Sequence, residues 1–171
     1  MTAWVVTGPA GAGKSTLGAA LARRERAVLL DLDTITNPLL DVVSGAWHPE
    51  GHWNDVAVRD VVRPGRYSAL RAVARTQVDV GLDVVLVAPF TAELRGGPEW
   101  RDLVRAVGPE LPRVVWLTAP AAVLARRVAR RGEARDAAAL AEDPTPPRVP
   151  HLPIDATLST ADQLAHLLRW P

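Results

Sequence analysis

The stretch Gly8-Pro9-Ala10-Gly11-Ala12-Gly13-Lys14-Ser15 constrains this chain more than any other, because it satisfies G-x-x-x-x-G-K-[ST] at every fixed position. Glycines at these places let the backbone curl until its N–H groups point inward and cradle an anion. A helix opening at the end of the loop adds the partial positive charge of its N-terminus. The pattern reads as a phosphate-binding P-loop running from Gly8 to Thr16, with Lys14 reaching the terminal phosphates and the Ser15 hydroxyl holding Mg2+.

The flanks agree with that reading. Trp4-Val5-Val6 has the apolar run of a buried strand ending at Thr7, and Ser15 to Arg24 is rich in the helix formers Leu, Ala and Arg. Composition supplies a separate argument: of 20 Lys and Arg residues, Lys14 is the single lysine. An Arg-biased chain that keeps one Lys inside the loop keeps it where a compact ammonium on a flexible stem is wanted.

The 171 residues, 48% of them apolar, suit a single domain spanning 1–171 that buries about two-thirds of its unfolded surface. A formal net charge of +1 gives no electrostatic case for nucleic acid or an anionic membrane, so small-molecule partners are expected. Absence of cysteine removes disulfides, thiolate catalysis and Cys-based zinc sites. With neither a signal-like N-terminus nor an apolar run of spanning length, the expectation is a soluble cytoplasmic protein.

Along the chain, Ala27 to Leu30 reads as a strand buried on both faces, leading into Asp31-Leu32-Asp33. Asn37-Pro38 is expected to break the chain before Leu39, Leu40, Val42 and Val43, which are spaced for one helical face. Trp47 to Trp53 carries Pro49 and Gly51 and reads as an exposed loop with large side chains. Its two histidines, His48 and His52, have a metal-ligand spacing only on a helix, which Pro49 and Gly51 argue against.

A second break is expected at Pro64-Gly65, followed by a helix with the stripe Leu70, Val73, Ala74, Val78 and a stop at Gly81. Val84 to Val87 reads as a central strand, Glu99 to Val107 as a helix, and Val114 to Leu117 as a fourth strand. From Pro120 a helix carries Arg126, Arg127, Arg130 and Arg131; Arg127, Arg131 and Arg135 share one side if it continues that far. Asp143 to Pro153, with five prolines, reads as loop. Ile154 to Leu158 forms a last strand, and Thr160 with Gln163 gives a capping-box signature. Strands alternating with helices indicate an α/β fold with a parallel sheet covered on both faces.

Two features bear on chemistry beyond the loop. Asp31 and Asp33 stand at a strand's C-terminal end, where open parallel sheets place ligands. If Asp33 still belongs to the strand, the two point in different directions, one to a metal and one to an acceptor hydroxyl; otherwise they are a helix N-cap and a solvated turn. The arginines near 126–135 are either a solvated helix face or part of a lid over the phosphates.

Gly8 to Thr16, the Asp-x-Asp at 31 and 33 and the Arg-rich segment at 126–135 together resemble the shikimate kinase and gluconate kinase group of small P-loop kinases, and chloramphenicol phosphotransferase-like proteins. That resemblance implies a P-loop NTPase three-layer sandwich with a five-stranded parallel sheet in the order 2-3-1-4-5, a lid across 126–150, an acceptor-binding region at 36–66, and ATP with Mg2+ as cofactors. Asp31 then helps to organise Mg2+, and Asp33 contacts the acceptor hydroxyl as its base. Arg127 lies against adenine, and Arg135 closes onto the phosphates. The segment Ala88-Pro89-Phe90 departs from the group, lacking the Gly-Gly-Gly turn of shikimate kinases and a terminal Asp of Walker B type, and the loop with Trp47, His48, His52 and Trp53 matches no acceptor motif.

The function expected is therefore an ATP-dependent kinase of a small hydroxylated metabolite, sugar, nucleoside or antibiotic. Arg59, Arg63 and Arg66 are candidates to meet an anionic acceptor, or else a solvated face. The alternative is an ATP-binding regulatory P-loop protein with little phosphotransfer. A GTPase is disfavoured, since the guanine motif N-K-x-D needs a lysine and Lys14 is already used.

Overall fold

The inner strands of this protein's sheet are apolar on both sides, which requires helices on both faces. The computed structural model describes residues 1–48, 51–131, 145–167 and 169. Strands β1 (Ala3–Thr7), β2 (Val28–Asp31), β3 (Val84–Val87), β4 (Arg113–Thr118) and β5 (Leu152–Asp155) form a five-stranded sheet in the order β2-β3-β1-β4-β5. All four pairings are parallel. The connections carry α1 (Lys14–Glu25), α2 (Leu32–Trp47), α3 (Val56–Asp79), α4 (Pro98–Val107) and α5 (Ala121–Arg131), and α6 (Thr160–Leu167) follows β5.

Side chains alternate across the sheet with the period of the pleat. Ala3 and Val5 of β1, Val84 and Leu86 of β3 and Val114 of β4 pack with Leu70, Ala74 and Val78 of α3 and Leu103 of α4. Trp4 and Val6, Val85 and Val87, and Val115 and Leu117 pack on the other face with Leu17 and Leu21 of α1, Leu124 of α5 and Leu167 of α6. The P-loop leaves the C-terminal end of β1, the middle strand, where strand order reverses and open sheets hold their ligands.

Several local expectations change. The middle place belongs to β1, with the buried Val84–Val87 beside it, while β2, expected to be buried on both faces, is an edge strand with Leu29 40% exposed. Neither proline pair breaks the chain: α2 runs through Pro38 and α3 runs unbroken through Pro64. Both prolines are exposed, as are Thr34 and Asp60, whose carbonyls lose their partner four residues on. On that wet side of a helix water replaces the lost bond, so the break signal is overruled.

Within α2, Leu39, Val42 and Val43 of the expected face point outward, with Val42 76% exposed, while Leu40 is half-buried. The last strand begins at Leu152, two residues before the expected start, and Pro153 is tolerated because β5 is an edge strand. The cap of α6 also shifts by one: Ser159 Oγ accepts from the Asp162 amide at 3.2 Å and donates to its carboxylate at 2.6 Å. Gln163 instead is buried and donates to the carbonyl oxygens of Leu158 and Asp155.

Candidate active site

The P-loop takes its shape from two glycines in particular. Gly8 has φ +146°, and a Cβ there would stand 2.5 Å from the carbonyl oxygen of Leu117 in β4, so no larger residue fits. Gly13, at φ +88°, caps α1 without any side chain on its first amides, and no acid lies in the first turn. Those N–H groups therefore keep their capacity for an incoming anion. Lys14 folds back over the loop, its Nζ donating to the Pro9 carbonyl at 2.9 Å.

Asp31 closes β2 and caps α2. Its Oδ1 accepts from the amides of Asp33 at 3.0 Å and Thr34 at 3.4 Å, while Oδ2 accepts from Ser15 Oγ at 2.7 Å. Asp33 thus sits in the first turn of α2 instead of continuing the strand, which corrects the premise of alternating strand directions. The two carboxylates still diverge, Asp31 toward the P-loop and Asp33 toward α3, because helix geometry separates them in place of the pleat. The capping reading and the P-loop reading of Asp31 hold together, one through each oxygen.

Two clefts open at this end of the sheet. A cleft of about 420 Å3 is lined by Gly11, Thr16, Arg127, Arg130, Ala156 and Gln163, among others. Arg127 spans it, donating to the carbonyl oxygens of Ala156 at 2.9 Å and Gly11 at 3.4 Å. Nearby Asp155 is held below its usual carboxylate range, chiefly by the Thr157 hydroxyl and amide, with Arg127 contributing least. Of the arginine cluster, Arg127 and Arg130 border this cleft, whereas Arg126 is exposed and does not line it. Arg135 and the side chain of Arg131 lie outside the described residues. At the far end of the 126–150 segment, Val149 is buried in the core and the Arg148 amide bonds to the Leu94 carbonyl.

A second cleft, about 180 Å3, is lined by Asp33, Trp53, Arg59, Arg63, Arg66 and Thr91, together with neighbouring residues of α3 and the segment after β3. Arg59, Arg63 and Arg66 share one face of α3, a spacing visible only once the helix is known to pass through Pro64. Arg63 pairs with the buried Glu93 at 2.9 Å and lies 4.2 Å over the Tyr67 ring. Arg66 pairs with Asp33, bonds Thr36 Oγ1 at 2.8 Å and Asn37 Oδ1 at 2.9 Å, and stacks 4.7 Å over Trp53. Trp53 is not the exposed aromatic expected of its loop: it is 2% exposed, its indole N–H donating to Asp41 Oδ1 at 2.7 Å. A partner for each polar edge is what lets a Trp bury itself beside an arginine.

Tyr67, Glu93 and Thr91 carried no sequence signal, since each is a lone residue far from any motif. Phe90, fully buried, holds φ +48°, a strained setting for a bulky residue, and its amide donates to the Tyr67 hydroxyl at 3.0 Å. Burial, and next the Glu93 carboxylate, push the Tyr67 hydroxyl up to about 12. Thr7 at the end of β1 donates to the Pro89 carbonyl at 2.7 Å, tying the P-loop strand to this turn. Among the described residues no helix is long and apolar enough to cross a membrane, and no three or more His, Cys, Asp or Glu converge as a metal cluster.

A family profile described as an AAA domain matches residues 4–144. No curated protein matches the sequence. Among solved structures, a presumed kinase from Chloroflexus aurantiacus is similar at 21% identity and TM-score 0.75, covering 98% of this chain and 97% of that one. A sugar kinase from Janibacter sp. HTCC2649 is similar at 20% identity and TM-score 0.66, covering 99% and 94%. A gluconokinase from Sinorhizobium meliloti is similar at 22% identity and TM-score 0.63, covering 98% and 92%. These likenesses show the fold of small P-loop kinases, the group that the loop and the Asp pair resemble. On the profile, which runs from β1 past α5, the chain belongs to the AAA domain family of P-loop proteins.

Proposed function

We propose that the protein is an ATP-dependent kinase that transfers the γ-phosphoryl group to a hydroxyl of a small acceptor. The observation that carries this reading is the Ser15–Asp31 hydrogen bond, which joins the P-loop to the first turn of α2, where Asp33 lines a second cleft. A nucleotide-binding module without transfer needs only the first cleft.

The residues present suit MgATP: uncapped amides at the start of α1, a lysine over the loop, and a hydroxyl beside a carboxylate. A metal here would depend on nucleotide oxygens and water for the rest of its shell, the usual habit of Mg2+. When bound, MgATP would supply the phosphoryl group and the metal's positive charge beside it. Lys14 and the loop amides stabilise charge on the transferring group, and Ser15 with Asp31 fixes the metal side. Asp33 would orient the acceptor hydroxyl and accept its proton as that oxygen bonds to the γ-phosphorus and the phosphorus–oxygen bond to the departing ADP breaks. Arg127, which lines the first cleft, would exclude water and shield charge over the nucleotide.

A coupled ADP-release assay over a panel of small hydroxylated compounds tests this. Stimulation by a compound supports the kinase; calorimetric MgATP binding with no stimulation by any of them favours a regulatory ATP-binding protein.

A further inference from the structure

Asp33 has one carboxylate oxygen engaged and one open. Its Oδ1 is paired with Arg66, among the described residues no hydrogen bond reaches Oδ2, and the side chain is 54% exposed in the second cleft. Arg66 is the better anchored partner, its side chain 14% exposed. Its Nε donates to Thr36 Oγ1, its Nη2 reaches both Asp33 and Asn37, and its plane stacks on Trp53, which Asp41 holds in turn. Asp33, Thr36, Asn37 and Asp41 all belong to α2, whereas Arg66 belongs to α3.

We propose that Arg66 is the positioning residue for Asp33: it pins Oδ1 and so presents Oδ2 to the acceptor hydroxyl. An aspartate in the first turn of a solvent-facing helix otherwise samples several rotamers, and only some of them reach the second cleft. Fixing one oxygen from a buried, planar donor removes that freedom before the acceptor arrives. Lysine is a poor substitute, because a point charge cannot reach Asp33, Thr36 and Asn37 at once or stack on the indole. This inference rests on the proposed transfer to an acceptor and adds a residue that need not touch the acceptor at all.

A double-mutant cycle on the full chain tests it, with Arg66→Met, Asp33→Asn and the pair, using whichever acceptor stimulates ADP release. Arg66→Met should lower kcat roughly 10- to 100-fold through misplacement of the base. Acceptor KM and calorimetric MgATP binding should move far less. Arg66→Lys should restore part of the loss, and the double variant should be no slower than Asp33→Asn alone. Losses that multiply, or a change confined to acceptor KM, would overturn the inference and make Arg66 a direct acceptor contact. If Asp33→Asn itself leaves turnover intact, the kinase assignment of Asp33 fails first. Arg66→Gln, which keeps a donor without charge, stands in if Arg66→Met does not fold by circular dichroism.

Discussion

Ser15 and Asp31 are joined by a 2.7 Å hydrogen bond, and the same Asp31 carboxylate caps α2 with its other oxygen. One side chain thereby fixes the distance between the P-loop and the helix that carries Asp33. The two roles separate by substitution. Asp31→Asn keeps an oxygen for the cap and loses the charge, so the Mg2+ concentration for half-maximal turnover should rise about tenfold or more, with the melting temperature little changed. Asp31→Ala should add a loss of about 1 kcal/mol in stability, read by thermal unfolding.

Lys14→Ala and Lys14→Arg should each lower phosphotransfer by roughly 10³-fold, because the ammonium acts on charge at one point and a guanidinium fork cannot follow the loop. Far-UV circular dichroism should be unchanged, since Lys14 is only partly buried at the first position of α1. Near-normal turnover in the alanine variant would remove the P-loop from the mechanism.

The P-loop, the parallel sheet and the carboxylate at the end of β2 were legible because each depends on local sequence: a fixed spacing, apolar runs and a strand terminus. The wall of the second cleft was not. Pro38 and Pro64 are strong local break signals, and whether they break a helix depends on which side faces water, a tertiary property. Trp53 looked exposed because its loop is irregular, yet Asp41 and Arg66 on two different helices supply the partners that bury it. The Asp33–Arg66 pair spans 33 positions and two helices, so no window along the sequence contains it.

Arg59 lines the second cleft and among the described residues its one ion pair is with the exposed Asp60, at 4.0 Å, whereas Arg63 is paired with the buried Glu93 and Arg66 with Asp33. It is the cation with most charge to offer an acceptor. For an anionic acceptor, Arg59→Ala should raise KM roughly tenfold, the value of one hydrogen bond to a charged group, with MgATP affinity unchanged. Trp53→Phe should raise acceptor KM as well, since Trp53 itself lines the cleft. Steady-state kinetics on both variants checks this, and unchanged KM in both would place the acceptor elsewhere.

Tyr67 is the single tyrosine of the chain, so near-ultraviolet titration of tyrosinate reports on it alone. The neutral hydroxyl is the form the fold favours, and its midpoint should stand near 12, above the ordinary 10.0. Since the folded value is the higher one, the stability it contributes is fully present below about pH 10 and is lost as pH rises toward 12. Tyr67→Phe removes the acceptor of the Phe90 amide, a loss of about 1–3 kcal/mol for a buried donor left unpaired. A tyrosinate midpoint at the ordinary value would mean that Tyr67 is not enclosed against Glu93 as described.

On the proposed function, the second cleft receives the phosphoryl acceptor at Asp33. Acceptor-stimulated ADP release by wild type and Asp33→Asn, measured beside calorimetric MgATP binding, tests it most directly. The amide still accepts a hydrogen bond but cannot take a proton, so turnover should fall roughly 10²- to 10⁴-fold, nearer the lower figure for a loose transition state. MgATP binding should stay close to wild type. Near wild-type turnover in Asp33→Asn, with a damaged Mg2+ response in its place, would contradict the claim and assign Asp33 to the metal.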